Sequence, residues 1–111
     1  MSVCLIISNP NNVVEEKYNI PISTEKVFQE YWMPIIEKLD LKWARCFESG
    51  IEIEKEDLEP VLRDLEEIKS WIDTHMKTER GDQIIERIDN LCEQLSSIFN
   101  DVRADVKVYI G

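Results

Sequence analysis

His75 is the only histidine among 111 residues, so acid–base chemistry by a side chain that titrates near neutral pH would have to run through it. A general base needs a nucleophile to activate, and no Ser or Cys can be assigned to it from the sequence. Its place near the end of a helical stretch suits a solvent-facing imidazole set against the helix C-terminal dipole. The other catalytic arrangement is Glu52 with Glu54. In Ile51-Glu52-Ile53-Glu54 the two carboxylates share one strand face, about 7 Å apart. That separation suits the acid and base of an inverting glycosidase. Raising the pKa of one carboxyl needs a cleft, and no insertion in this short chain supplies one. Alternating Ile and Glu is also what a half-exposed strand requires. The expectation is that the protein is not an enzyme.

The remaining site chemistry narrows the reading further. Cys4, Cys46 and Cys92 are odd in number and widely spaced, with no Cys-x-x-Cys pair for zinc or thiol exchange. They read as three reduced, buried thiols. Gly50, Gly81 and Gly111 stand alone, so neither a phosphate-binding loop nor a dinucleotide fingerprint can be built. No calcium loop occurs, and one His excludes the usual zinc hydrolase patterns. No metal and no cofactor are expected.

Charge points to a different class of function. The formal net charge is −10, with 23 acidic against 13 basic residues. That sign argues against nucleic acid and anionic membranes, both of which need basic surface. The acids are also concentrated. Nine lie between Glu48 and Glu67, opposed only by Lys55 and Arg63, so this segment carries seven of the net ten negative charges. Such a run is either a solvated strand edge and helix start or an electrostatic docking face for a basic protein partner. On the second reading the candidate partner-binding residues are Trp43, Glu52, Glu54, Glu56, Asp57 and Glu59. Trp43 serves as aromatic anchor if it stands with Arg45 and Phe47 on an open strand face near Tyr109; the alternative puts Trp43 and Phe47 in the core.

The elements that must position these residues follow from hydrophobic periodicity. Val3 to Ile7 is an apolar, β-branched run that reads as a central strand with both faces covered. After the turn residues Ser8 to Asn12, a second strand between Val13 and Ile20 completes a hairpin. Ser23 or Thr24 caps a helix whose stripe runs from Val27 to Leu39, with a kink or break near Met33 imposed by Pro34. Trp43 to Phe47 and Ile51 to Glu54 read as a second hairpin around Glu48-Ser49-Gly50. Two long helices follow, from about Glu56 to Lys77 and from about Asp82, as cap, to Arg103. Val106 to Ile110 then returns to the sheet. The order is β-β-α-β-β-α-α-β. One α+β domain over residues 1–111 is expected, its mainly antiparallel four- to five-stranded sheet carrying three helices on one face.

The segments PISTEKVFQEYWMPIIEKLDLKW, ESGIEIEKEDLEPVLRDLEEIKSW and VKVYIG together resemble the small acidic immunity proteins of bacterial polymorphic-toxin systems, and the chain is similar to the immunity protein 70 family. The resemblance spans nearly the whole chain but rests mostly on amphipathic patterns, and no family binding residue is carried over. It implies a cytoplasmic protein that binds one cognate toxin domain with a basic surface and blocks its active site or substrate path. If the toxin were a nuclease, its basic groove would be a natural target for acidic surface. The alternative is an acidic mimic of nucleic acid, or an adaptor, acting as a regulator. The N-terminus lacks a basic start, its apolar run is too short for a signal sequence, and no stretch is long enough to span a membrane. A cytoplasmic location is expected.

Overall fold

A computed structural model of the chain describes residues 2–103 and 105–111. Four strands form one antiparallel sheet in the order β2-β1-β4-β3: β1 (Ser2–Ile7), β2 (Asn19–Thr24), β3 (Ile51–Ile53) and β4 (Val108–Ile110). The C-terminal strand is inserted between the first and the third, with Ile6 opposite Tyr109 and Glu52 opposite Tyr109 on the other side. Val3, Leu5 and Ile7 are buried, as are Ile22, Ile53, Val108 and Ile110. These side chains line one face and merge with the helices into a single core. The other face is open: Ile6 and Tyr109 are exposed. β1 is therefore central by pairing, as expected, but only one of its faces is covered.

Two expected strands are corrected. Val13 to Glu16 is a short helix, α1, because the Asn12 side chain accepts from the Glu15 backbone N–H at 2.9 Å and caps it. β2 begins later, at Asn19, and Pro21 is tolerated there because β2 is an edge strand. The second correction matters more. Residues Lys42–Arg45 form a helix, α4, rather than the strand expected over Trp43 to Phe47. Two features favour the helix. Leu41, Ala44 and Phe47, three residues apart, are the buried positions, so the effective period here is helical. The Asp64 carboxylate, buried on a later helix, also accepts from the backbone N–H groups of Trp43 (2.9 Å) and Ala44 (3.1 Å). It caps α4 from 20 residues away in sequence. The observed order is accordingly β-β-α-β-α-α-β once the one-turn helices are set aside.

The helical layer otherwise follows its apolar stripes. Thr24 caps α2 (Glu25–Val27), its hydroxyl accepting from the Val27 N–H at 3.2 Å. A π turn over Phe28–Trp32 leads into α3 (Met33–Leu39), and the Met33 N–H bonds back to the Phe28 carbonyl. The helix thus meets the missing donor of Pro34 with a widened turn, without breaking. Phe28 and Trp32 stack within it at 5.5 Å and are fully buried. α5 (Leu58–His75) and α6 (Glu79–Ser97) form a helical hairpin, bridged by Lys69 and Asp89 at 2.5 Å. Thr78, rather than Asp82, caps α6, accepting from the Gly81 N–H at 3.0 Å.

One polar lock ties the ends of the chain together. Arg103 donates to the buried carboxylate of Glu15 at 2.9 Å, to Asp105 at 3.0 Å, and to the Asn9 carbonyl. Asn9 in turn accepts from the Lys107 N–H at 2.7 Å. The loop after β1, helix α1 and the approach to β4 are thereby fixed to one another, which sets where β4 enters the sheet. The Arg103 hydrogen bond, with help from Asn11 and Asn12, holds the Glu15 carboxyl below its ordinary pKa of 4.5. A depressed folded-state pKa contributes stability above the unfolded value that is lost as pH falls through the folded one. Glu15→Gln should therefore lower the melting temperature at pH 7, and the difference from the parent should close as pH falls toward 3. Thermal melts across that range test it; a gap constant with pH would separate Glu15 from this linkage.

The three cysteines are free and half-buried, so none belongs fully to the core. Burial, helped by Glu66 and Asp89, pushes the Cys92 thiol up to about 11. At pH 8 its thiolate fraction falls roughly a hundredfold below that of an ordinary thiol, and alkylation should slow in proportion. Mass-spectrometric timing of iodoacetamide labelling, native against denatured, measures this directly.

Candidate partner-binding face

The open face of the sheet is built from every second residue of β1, β3 and β4. Tyr109 lies at its centre. Its ring crosses the backbone of Gly50 and Gly111, and a Cβ at Gly50 would meet the Tyr109 hydroxyl and lie 2.6 Å from Cζ. Gly50 also has φ +102°, a backbone conformation that side chains disfavour. The glycine at the end of the expected Glu48-Ser49-Gly50 turn thus does two things: it turns the chain into β3 and leaves a bed for an aromatic ring. Ile6, the cross-strand partner of Tyr109, completes a small apolar patch.

Carboxylates flank this patch. Glu52 and Glu54 share the open face, as their alternation predicts, with Lys107 between them at 3.7 and 3.5 Å. All three side chains are about half exposed, a setting in which such pairs add little stability. The chain then turns up into α5 through a reciprocal capping box. The Glu54 side chain accepts from the Asp57 N–H, and the Asp57 carboxylate accepts from the Glu54 N–H at 3.1 Å. Glu56 stands beside Glu54, whose hydrogen bond and negative charge raise the Glu56 pKa, with Asp57 adding to the effect. A depression of about 490 Å³ lined by Glu54, Lys55, Glu56, Asp105, Val106 and Lys107 opens next to the pair. Glu59 extends into solvent on the first turn of α5, 3.6 Å from Arg63.

The six sequence candidates therefore separate. Glu52 and Glu54 lie on the sheet face, and Glu56 adjoins them at its end. Asp57 is engaged in capping, and Glu59 begins the adjoining helix. Trp43 leaves the strand surface altogether: it belongs to α4, where its ring is half-buried against the core. Phe47 is fully buried and Arg45 pairs with Asp40 at 3.3 Å. Asp64, counted in the same acidic run, is buried as the cap of α4. The aromatic of the open face is Tyr109, which the alternation of Val106 to Ile110 already placed in the sheet near the two glutamates. Ile6 was concealed within an unbroken apolar run, which carries no sign of which face stays open.

Among the described residues, no group of three or more His, Cys, Asp or Glu side chains is arranged to hold a metal ion. No described helix is long and apolar enough to cross a membrane. His75 is exposed, its ring stacked on Trp71 at 4.8 Å and its Nδ1 3.1 Å from the Trp71 carbonyl oxygen. Comparison with protein-family models, with curated proteins and with solved structures finds no match to this chain.

Proposed function

We propose that this chain is a protein-binding module of the immunity type: a cytoplasmic inhibitor that docks the open face of its sheet onto the basic surface of a cognate bacterial toxin domain. One observation carries the reading. An aromatic–aliphatic patch, Tyr109 with Ile6, sits on an otherwise uncovered sheet face and is bordered by Glu52, Glu54 and Glu56. Desolvated aromatic centres with charged rims are how compact interfaces divide affinity from selectivity. Glu54 and Glu56 repel one another, and a partner Lys or Arg entering the adjoining depression would relieve that repulsion. Inhibition then needs no chemistry on this chain, only occlusion of a substrate path.

The sheet edges favour face docking over strand addition. β3 is three residues long and β2 carries Pro21, two features that discourage pairing with another chain. Lys107 between Glu52 and Glu54 also interrupts the uncompensated negative surface that mimicry of nucleic acid would use. The experiment is co-expression with a toxin domain encoded beside this chain, followed by co-purification and a toxicity rescue assay. A complex that protects cells supports the reading. Failure to protect against, or bind, any neighbouring product rejects it in favour of the regulatory alternative.

A further inference from the structure

We propose that a groove between β2 and α6, on the far edge of the sheet from β3, is a binding site for a small organic anion with an apolar body. The groove measures about 450 Å³, a size suited to a small ligand. Its charge is anomalous for this protein. Of the five arginines, Arg45, Arg63 and Arg103 pair with carboxylates. Among the described residues Arg80 and Arg87 pair with none, and both line this one groove. With 23 acidic residues in the chain, that is not for want of partners. Glu86 borders the groove as well, yet it bridges to neither.

The two arginines are held but not satisfied. Arg80 lies over the Tyr31 ring, 5.5 Å from its centroid, and donates to Gln83 at 3.2 Å. Arg87 donates to the Pro21 carbonyl at 3.2 Å. A guanidinium has five N–H donors, so each keeps several for a ligand. Spaced seven residues apart on α6, with Ile84 between them, they share one helix face about 10 Å apart along its axis. Beneath them Ile22, Val27, Ile84 and Trp32 supply an apolar floor. Trp32 is buried and its indole N–H has no hydrogen-bond partner among the described residues. A cationic rim over an apolar floor fits a carboxylate on a short hydrocarbon body, because the guanidinium fork matches a carboxylate in a way no neutral head group does.

The probe is sodium octanoate, titrated into isotopically labelled protein and followed by two-dimensional ¹⁵N–¹H spectra, with octan-1-ol and octyltrimethylammonium as controls. The Trp32 indole resonance and the amides of Ile22, Ser23, Ile84 and Arg87 should shift saturably. The double variant Arg80→Gln with Arg87→Gln should bind octanoate at least about tenfold more weakly, to the level of the alcohol. Both arginines are exposed, and a melting temperature equal to that of the parent would show that the loss is not unfolding. The proposal is overturned by equal binding of octanol, by full retention of octanoate in the double variant, or by the absence of saturable shifts in the groove up to about 10 mM.

Discussion

Phe47→Ala is expected to be among the most damaging single substitutions in this protein, removing roughly 3–5 kcal/mol of stability. Phe47 is fully buried, at 0% exposure, and lies between α4 and the turn that enters β3. Truncation leaves a cavity where an aromatic ring filled the core beside α4, and the flanking backbone is not free to collapse into it. α4 is held by Asp64, and the Gly50 N–H is bonded to the Cys46 carbonyl at 2.8 Å. A domain of this size is stable by only about 5–15 kcal/mol, so the melting temperature should fall by roughly 10 °C or more. Urea unfolding checks it. A loss under about 1 kcal/mol would instead suit Phe47 on an exposed strand. Phe47→Leu, which keeps most of the volume, should recover the larger part of the loss.

The largest functional effect is expected at Tyr109. On the proposed docking face, Tyr109→Ala should weaken the toxin complex by about 2 kcal/mol or more, roughly thirtyfold, and chiefly through faster dissociation. Reversal of charge at Glu52, Glu54 and Glu59 together should act differently. It should slow association and flatten the dependence of association on salt, because on the proposed reading these carboxylates steer the approach. Surface plasmon resonance at low and high ionic strength separates the two. Tyr109 packs over Gly50 and Gly111, so both variants need a thermal melt beside the binding data. A stable, unchanged complex with either variant would move the interface off the sheet face and onto the helical side.

Much of the frame was legible because it depends on local periodicity. The stripes of α5 and α6, a cap at Ser23 or Thr24, the strand at Val3 to Ile7, a final strand within Val106 to Ile110 that the structure confines to Val108–Ile110, and the pairing of Glu52 with Glu54 on one face all follow from side-chain spacing within a few residues. The antiparallel α+β class follows from their succession. The segment from Trp43 to Phe47 was not legible in this way. Its large–small alternation satisfies a strand, while its Leu41–Ala44–Phe47 spacing satisfies a helix. The tie is broken by a carboxylate at position 64, which only the fold brings to the helix start. The Val13 segment has the same history: β-branched residues favour a strand, yet Asn12 and a buried pair between Glu15 and Arg103, far apart in sequence, hold it as helix.

The candidate site divides along the same line. By itself the sequence determined that the protein is acidic, that its negative charge is concentrated between Glu48 and Glu67, and that Glu52 and Glu54 point the same way. Only the tertiary structure decided which acids are available. It buried Asp64, engaged Asp57 in a cap, set Lys107 against Glu52 and Glu54, and left Tyr109 and Ile6 together on the uncovered face. It also brought Arg80 and Arg87 to one groove with β2, although α6 shares no local pattern with that strand. Spacing along a chain states which side chains share a face. Whether that face meets water, a partner element or a charge from elsewhere depends on contacts between distant segments, and those exist only once the chain has packed.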